Sequence, residues 1–271
     1  MQNLDIYCLT IKYYDLINKF PSYIKPLGLG NGDFPNNWLA EKNGESIFEL
    51  NKYYGEYTGI YWIWKNKLKN MNDDDWIGTC SYRGLWLNNL YNKKQKFSIT
   101  SLNSNLLKPD NKIFLSSDLI LVQPIILKNE TIFQQFEKVH KGNILDNCIN
   151  FLDNNDRDQF KEYLKGNKLC NTIFICKVHL FKKFCEAIFP WLEKCYEYCR
   201  DNKLLNDDYH ARLPAFLMER YASYWLLKIQ KKKYLSYARL GKFMLSNNIN
   251  KYINPIKIPF TFRMYPTIHK Y

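Results

Sequence analysis

The amino-acid sequence predicts an α/β fold in which helices flank a mixed, mostly parallel sheet within a single domain. Short apolar segments rich in strand-forming residues alternate with longer helical segments, an order typical of layered α/β proteins. The 271 residues suffice to bury a full hydrophobic core in one domain. With 46% hydrophobic and 24% charged residues, the composition is that of a globular protein and argues against disorder.

The N-terminal quarter contains a predicted strand, loop and helix. Residues 4–10 are short, apolar and rich in strand formers, and they predict a first buried strand. Residues 21–35 are interrupted by proline and glycine and predict a loop. Inside it, residues 28–32 favour a simple turn over a phosphate-binding loop, because no apolar periodic segment follows. Residues 57–68 predict a helix that packs on the sheet, with apolar side chains at helical spacing and lysines near its end.

Three further strands and two long helices are predicted downstream. We expect the strands at residues 76–80, 119–122 and 172–176, and the helices at residues 180–199 and 214–229. Pro190 should kink or break the first of these helices. The polar region 143–168 contains short helical stretches. Residues 1–250 are thus predicted to form the domain, and residues 251–271, which include three prolines, an extended tail packed on it.

The sequence also indicates the cellular compartment of the protein. No segment approaches about 18 consecutive apolar residues, and the N-terminus lacks a basic region followed by an apolar one, so we expect neither a membrane span nor secretion. The eight cysteines form no C-x-x-C pair, which favours reduced thiols in the core of a cytoplasmic protein.

The formal net charge of +13 attracts phosphate-bearing molecules such as nucleotide sugars, anionic lipid surfaces or nucleic acid. Compact basic runs occur only at residues 93–96 and 231–233, and a solvated lysine-rich face is the alternative explanation. A nucleic-acid-binding protein is a rival from another class. Because no recognised binding motif supports it, we expect no nucleic-acid partner and leave contact with an anionic membrane surface open.

The predicted helix at 214–229 carries an unusual pair of charges. Its residues 214–227 are apolar or aromatic around nearly the whole circumference, apart from Glu219 and Arg220, so the helix should be buried. Neighbouring residues diverge around a helix, and we therefore expect these two side chains not to pair with each other. Burying either charge costs several kcal/mol without a partner or a polar cleft. An ion pair elsewhere in the fold and a role in an active site both remain open.

Two further groups of residues are candidates for binding. Glu56 and Thr58 begin the aromatic helix, where an acidic residue also compensates the helix dipole. Tyr82 and Arg83 follow a strand, at the end where open α/β sheets bind ligands, and an arginine there can hold a diphosphate by two parallel hydrogen bonds. An ordinary surface arginine is the alternative.

The sequence predicts no protein-bound metal site. Residues 73–75 are three consecutive aspartates, but they precede a strand, whereas ligands bind beyond its carboxyl end, so a solvated turn is favoured. The four histidines show no zinc-binding spacing.

Four blocks of sequence occur in the order found in a known family. The first matches N-x-Y-Y-x-E-x-T-x-x-Y-W from Asn51 to Trp62, the third lies at residues 171–175 and the fourth at residues 215–221. Over residues 4–229 the chain thereby resembles bacterial and viral polysaccharide-biosynthesis proteins grouped as domain of unknown function 4422, relatives of GT-A glycosyltransferases. In the second block, Y-I-G-x-x-H-Y-R-R in the family, this chain has Ser81 in place of the histidine and Gly84 in place of the second arginine.

The resemblance implies a GT-A-like glycosyltransferase of capsule or polysaccharide assembly, with a nucleotide-sugar donor of the UDP-sugar kind and a glycan or lipid-linked acceptor. It leaves a need for Mn²⁺ or Mg²⁺ open. It assigns Glu219 and Arg220 to catalysis, with Glu219 as the base. The donor residues it implies are Thr10, Lys12, Tyr82 and Arg83, and the sugar or acceptor residues are Asn51, Glu56, Thr58, Asn171 and Arg212. The departures at Ser81 and Gly84 keep a second reading open, a catalytically degenerate sugar-binding or assembly subunit.

Overall fold

A computed structural model describes residues 3–88, 103–140, 142–206, 209–235 and 237–239. Its strands are β1 (Leu4–Thr10), β2 (Ile24–Gly28), β3 (Leu39–Ala40), β4 (Trp76–Ser81), β5 (Gly84–Trp86), β6 (Leu119–Val122), β7 (Ile125–Ile126), β8 (Lys168–Leu169), β9 (Phe174–Lys177), β10 (Lys232–Leu235) and β11 (Tyr237–Arg239). The helices with described bounds are α1 (Asn51–Tyr54), α2 (Tyr57–Asn66), α3 (Ile132–Val139), α4 (Ile144–Ile149), α5 (Asn154–Leu164), α6 (Val178–Asp201) and α7 (Leu213–Lys228).

The main sheet is mixed and mostly parallel, as the sequence predicts. Its path runs β3-β2-β1-β4-β9-β6-β10, with β5 and β11 attached beside β4. β1 pairs in parallel with β2 and β4, and β6 pairs in parallel with β10. Only β9 runs against its neighbours β4 and β6 along this path of described strands. β7 and β8 form a separate antiparallel pair.

Both faces of the central strands are covered. Tyr7 and Leu9 of β1 point into a large core shared with α2, α6 and α7, whereas Ile6 and Cys8 point into a second core on the other face. Successive side chains of a strand alternate between faces, so a strand buried on both sides is apolar throughout. This explains why residues 6–9 of β1 form a continuous apolar run.

Helix α2 packs closely on the sheet, as predicted. A Cβ added to Gly59 would lie 2.6 Å from the Leu29 side chain, so glycine allows the helix to approach β1 and β2. The buried face differs in detail from the predicted one, because Trp62 and Ile63 are buried while Tyr61 and Trp64 are half-buried.

The loop prediction for residues 21–35 is partly wrong, because β2 lies within it. Ile24 and Leu27 are buried and pair alongside β1. β3 pairs only with Leu27 and Gly28, so Pro26 lies where β2 has an open edge and its missing amide is tolerated. Burial of Ile24 and Leu27 and the pairing with β1 therefore outweigh the local proline and glycine signals.

Helix α6 runs unbroken for 24 residues through Pro190, so the predicted break does not occur. The neighbouring residues Phe189 and Trp191 are buried, and their packing compensates for the hydrogen bond that proline removes. The strands β4 and β6 and the helix α7 occur within one or two residues of their predicted bounds. Strand β9 begins two residues later than predicted.

The basic run 231–233 meets β10, the last strand on this path of described strands, and lysines at such a position disfavour pairing with another chain. The run 93–96 and the proposed boundary at residues 250 and 251 lie outside the described residues. All eight cysteines are buried and free, in agreement with their predicted role as core thiols. In the described ranges, no helix combines the length and apolarity that a bilayer span requires.

Candidate functional site

Most of the predicted site residues lie along one edge of the sheet. The parallel strands β1, β2 and β4 end there at Thr10, Gly28 and Ser81. Because β9 is antiparallel, it begins at this edge, and Asn171 lies just before it. Open α/β sheets bind ligands at this edge. The predicted residues separate into two groups, one at the strand ends and one on α7.

The first group forms what we call the strand-end face, made by Lys12, Tyr14, Tyr82 and Arg83. The rings of Tyr14 and Tyr82 stack with centroids 5.1 Å apart and planes 10° apart. The Arg83 guanidinium lies 5.1 Å from the Tyr82 ring centroid. Lys12 and Arg83 are exposed, so this face presents two cations to solvent beside a stacked aromatic pair. Such an arrangement can receive phosphate groups.

Thr10 shapes the loop that carries Lys12. Its side chain is fully buried, its hydroxyl donates to the Lys12 carbonyl, and it accepts from the Lys12 backbone N–H at 3.3 Å. A hydroxyl engaged in this way closes a local turn. The structure thus places Thr10 at the predicted edge, with its hydroxyl engaged in the loop.

The departures from the family pattern at Ser81 and Gly84 are linked through Tyr237. The Tyr237 hydroxyl accepts a hydrogen bond from the Ser81 backbone N–H at 2.9 Å. A Cβ added to Gly84 would lie 2.1 Å from the Tyr237 ring, so no side chain fits at this position while the ring is there. The ring of Tyr237 therefore requires glycine where the family has its second arginine.

The junction of α1 and α2 connects the two groups of predicted residues. Asn51 donates from Nδ2 to the Gly55 carbonyl and to Thr58 Oγ1, both at 2.9 Å. Glu41 is fully buried here and accepts a hydrogen bond from the Gly30 backbone N–H, while burial raises the pKa of its carboxyl. Asn51 and Thr58 thus hold the junction in shape against the glycine-containing turn after β2.

Asn171 also bonds within its own loop, because its Oδ1 accepts from the Ile173 backbone N–H at 2.9 Å. This is an Asx turn that leads the chain into β9. Of the predicted sugar or acceptor residues, Asn51, Thr58 and Asn171 accordingly all make bonds that shape the backbone.

Glu56 and Arg212 remain accessible at the same junction. Arg212 Nη2 lies 3.7 Å from Glu56 Oε2, and both side chains are about half-exposed. Arg212 crosses Gly55, where φ is +57° and an added Cβ would lie 2.8 Å from Nη2. Glycine at this position therefore provides both the backbone conformation and the space for the arginine.

The expectation that Glu219 and Arg220 do not pair is wrong. Arg220 Nη1 donates to Glu219 Oε2 at 2.9 Å and to the Phe216 carbonyl at 3.0 Å. Adjacent Cα–Cβ bonds do diverge around a helix, but the long arginine side chain folds back along α7 toward the preceding turn. Arg220 Nη2 donates to Gln135 Oε1 of α3 at 2.6 Å, which fixes α3 against α7.

These charges lie in what we call the paired-charge cavity, a pocket of about 200 Å³ between α3, α7 and the β7–β8 pair. It is lined by Ile125, Leu127, Gln135, Val139, His140, Leu169, Tyr209, Phe216, Glu219 and Arg220. Arg220 is almost fully buried, whereas the Glu219 side chain keeps 40% of its surface exposed. The carboxylate therefore reaches the opening while the arginine anchors it from inside.

Two groups in this cavity have shifted pKa values. Desolvation raises the pKa of Glu219 above its ordinary value; Glu56 adds to the rise, while Arg220 and Arg212 oppose it. Burial, together with Arg220 and His210, lowers the pKa of His140 to about 4. His140 is therefore a neutral imidazole near pH 7.

Sequence reasoning missed His140, Gln135 and the helix α3, which contains Gln135 and ends just before His140. A readable signal existed, because Thr131 and Gln134 form a reciprocal capping box. Ile132, Gln135, Phe136, Val139 and His140 then follow the spacing of one helical face. Glu41, by contrast, carries no local signal, since only the packing of β3 against the glycine-containing turn buries it.

The aspartates at residues 73–75 occupy the opposite edge, as predicted. Asp73 pairs with Lys182 at 2.7 Å, and Asp75 accepts from the Asn3 backbone N–H at 3.2 Å. They stabilise the turn before β4, although Asp75 is buried rather than solvated. Across the described ranges, no three histidine, cysteine, aspartate or glutamate side chains cluster as metal ligands.

A mixed sheet with an antiparallel β9, and candidate residues at its carboxyl edge, defines a GT-A-like α/β protein. The solved apo structure of the WbbM bifunctional glycosyltransferase shares this fold with a TM-score of 0.67 and 18% sequence identity. The alignment covers 87% of this chain but 45% of that one, so this chain spans less than half of its length.

Residues 5–232 match the family model described as domain of unknown function (DUF4422). The chain therefore belongs to the DUF4422 family, in agreement with the resemblance seen in its sequence blocks. None of the curated proteins compared with the chain matches it.

Proposed function

We propose that this protein is a glycosyltransferase that moves a sugar from a nucleotide-sugar donor to a glycan or lipid-linked acceptor in polysaccharide assembly. The observation that carries the proposal is the position of Glu219, a carboxylate anchored by Arg220 at the opening of a cavity on the carboxyl edge of a GT-A-like sheet. Family membership and the shared fold support it.

In this proposal the strand-end face binds the donor, a UDP-sugar. Arg83 offers two parallel N–H groups to the diphosphate, and Lys12 adds a second positive charge. The Tyr14–Tyr82 stack orients Arg83 by holding the ring over which its guanidinium lies. Positive charge at this position stabilises the nucleoside diphosphate as it leaves.

Glu219 acts as the general base. The acceptor hydroxyl forms a bond to the anomeric carbon, its proton passes to Glu219, and the bond to the diphosphate breaks with its electron pair on the departing nucleotide. Desolvation raises the pKa of Glu219 above its ordinary value, which makes the carboxylate a stronger base. Arg220 already donates to three oxygens, so we assign it to positioning the base, and Arg212 is the more accessible cation.

The side chains at the strand-end face do not fit a divalent cation. They are cationic and aromatic, whereas Mg²⁺ and Mn²⁺ prefer carboxylate and other hard oxygen ligands. We therefore route no step through a metal and assign the balancing positive charge to Lys12 and Arg83.

A sugar-binding or assembly subunit without transferase activity is the second candidate. Ser81 and Gly84 favour it, because the family places a histidine and an arginine there and Tyr237 blocks any side chain at residue 84. Its donor site would bind without supporting transfer. The charge of +13 would in either case favour contact with an anionic membrane surface, where lipid-linked acceptors lie.

The experiment that tests the proposal is calorimetric titration of the protein with a panel of nucleotide sugars, with and without Mn²⁺. Release of nucleoside diphosphate is then measured with glycan and lipid-linked acceptors. We expect one donor to bind and to be consumed when a suitable acceptor is added. Donor binding without consumption would favour the degenerate subunit, and no donor binding at all would refute the proposal.

A further inference from the structure

Two buried polar atoms of the paired-charge cavity have no hydrogen-bond partner among the described residues. They are His140 Nδ1 and Arg220 Nε. Both residues are more than nine-tenths buried, and both line the cavity. Leaving a buried polar atom unpaired costs about 1–3 kcal/mol. Both atoms are shielded from solvent, so a ligand whose hydroxyl groups displace the side chains that cover them would supply the missing partners.

The walls of the cavity are flat and apolar. The rings of Tyr209 and Phe216 lie 5.3 Å apart, and the His140 ring contacts both, at 5.7 Å and 4.8 Å between centroids. At the opening, Tyr209 and Val139 are 45% and 38% exposed. Flat aromatic walls with a few convergent polar groups suit a ring that has apolar C–H faces and polar edges.

The charges of the cavity cancel. Arg220 is paired with Glu219, and a pKa of about 4 leaves His140 neutral near pH 7. The cavity therefore lacks the surplus of positive charge that a phosphate or a nucleotide requires, in contrast to the strand-end face. An acyl chain fits poorly too, because it would leave both polar atoms unpaired.

The volume sets the size of the ligand. About 200 Å³ is below the roughly 300–1,000 Å³ of pockets for drug-sized molecules. The cavity thus accommodates one ring rather than an oligosaccharide.

We propose that the paired-charge cavity binds one uncharged sugar ring of the acceptor glycan, with its hydroxyls bonded to His140 and Arg220 and its C–H face against Tyr209 and Phe216. Glu219 at the opening then faces the acceptor hydroxyl. The word acceptor rests on the proposed transferase function, whereas sugar binding itself does not.

The test is saturation-transfer NMR on the full 271-residue protein with a panel of methyl glycosides as probes, and UDP as a separate probe of the strand-end face. Val139→Trp fills the opening from an exposed position and should weaken glycoside binding at least tenfold without affecting UDP. His140→Leu keeps the approximate shape and should weaken it about tenfold by removing hydrogen bonds. Leu115→Trp, at a position 83% exposed before the amino end of β6, is the matched control and should change neither probe.

The outcomes separate the two proposals. Glycoside binding that Val139→Trp and His140→Leu leave unchanged would overturn the sugar subsite, and so would a wild-type protein that binds UDP but no glycoside of the panel. The wild type could also bind glycosides, lose that binding in both variants, and bind no nucleotide sugar. That result would support the sugar subsite and overturn the proposed transferase function.

Discussion

The paired-charge cavity and the strand-end face lie on the same edge of the sheet but hold their charges in different ways. In the cavity, Arg220 is buried and makes three hydrogen bonds to protein oxygens. At the strand-end face, Lys12 and Arg83 are exposed to solvent, and the contact that orients Arg83 is the ring of Tyr82.

The difference teaches which residues are fixed before a ligand arrives. A buried charge that already makes three hydrogen bonds to the protein is positioned by the fold, so it can orient a reacting group at no further cost on binding. An exposed arginine keeps its hydrogen-bond donors for a ligand, but solvent and salt screen it. Changes in the cavity should therefore affect turnover and stability strongly, and changes at the strand-end face should affect donor affinity modestly.

The largest effect should come from Glu219→Gln. Loss of the general base should lower kcat by about two orders of magnitude or more, while donor binding is retained. The measurement is steady-state release of nucleoside diphosphate beside calorimetric titration of the donor. Glu186→Gln, an exposed glutamate on α6, is the control. Full activity of the Glu219 variant would remove this residue from the mechanism.

The wild-type pH profile provides a second view of the same residue. A base must be unprotonated, so kcat should fall as the pH drops through the pKa of Glu219. Because desolvation raises that pKa, the fall should occur at higher pH than for an ordinary glutamate.

The next largest effect concerns His140, which should make the folded protein less stable at acidic pH. Its pKa is lowered from 6.5 to about 4 in the folded protein, so the unfolded chain gains a proton that the folded one does not. Stability should therefore be lost as the pH falls from about 6.5 towards 4, by an amount of the order of 3 kcal/mol.

Urea unfolding of the wild type and of His140→Leu at several pH values measures this loss. The variant should lack that part of the pH dependence, and His179→Leu at the opposite edge should retain it. Equal slopes in the wild type and the His140 variant would show that His140 is not held neutral by the cavity.

A smaller effect should follow from Gly84→Ala at the strand end. The added Cβ would lie 2.1 Å from the Tyr237 ring, and relieving such an overlap costs about 1–3 kcal/mol. Urea unfolding of Gly84→Ala, Tyr237→Ala and the double variant measures the coupling between the two positions. Additive losses would mean that Tyr237 does not determine the glycine.

The smallest effect should be that of Arg83→Ala, which removes an exposed cation from the strand-end face. Donor affinity should fall about tenfold, because solvent and salt weaken the two hydrogen bonds of this exposed arginine, and kcat should fall less than in Glu219→Gln because Lys12 remains. Calorimetry at low and high salt should show a difference that shrinks as salt rises. Lys69→Ala removes a charge at the opposite edge and should leave affinity unchanged. Unaltered affinity in Arg83→Ala would mean that this arginine is structural.

Local patterns in the sequence predicted the elements with strong periodic signals and missed those that depend on pairing. β1, β4, β6 and α7 were found because apolar residues recur along each of them. β2 was missed because proline and glycine obscured a strand that exists through its pairing with β1.

The features of the candidate site likewise divide into those predicted from local patterns and those that depend on packing. Glu219 and Arg83 were predicted as site residues from their positions in a buried helix and at a strand end. The hydrogen bond between Glu219 and Arg220 was predicted not to form. Helix geometry alone gives the direction in which each side chain leaves the backbone, but it does not show that a long arginine side chain can fold back to its neighbour.

The sequence by itself determined the α/β class and the predominantly parallel sheet, because these depend on the order and periodicity of apolar residues. It also determined the family, because four sequence blocks follow the order found in that family. Only the tertiary structure decided that α3 meets α7, that His140 is buried beside Arg220 and that Tyr237 fills the space beside Gly84. These contacts join residues distant in the chain. Their energies depend on burial and on the distance between atoms, which no local pattern of residues specifies.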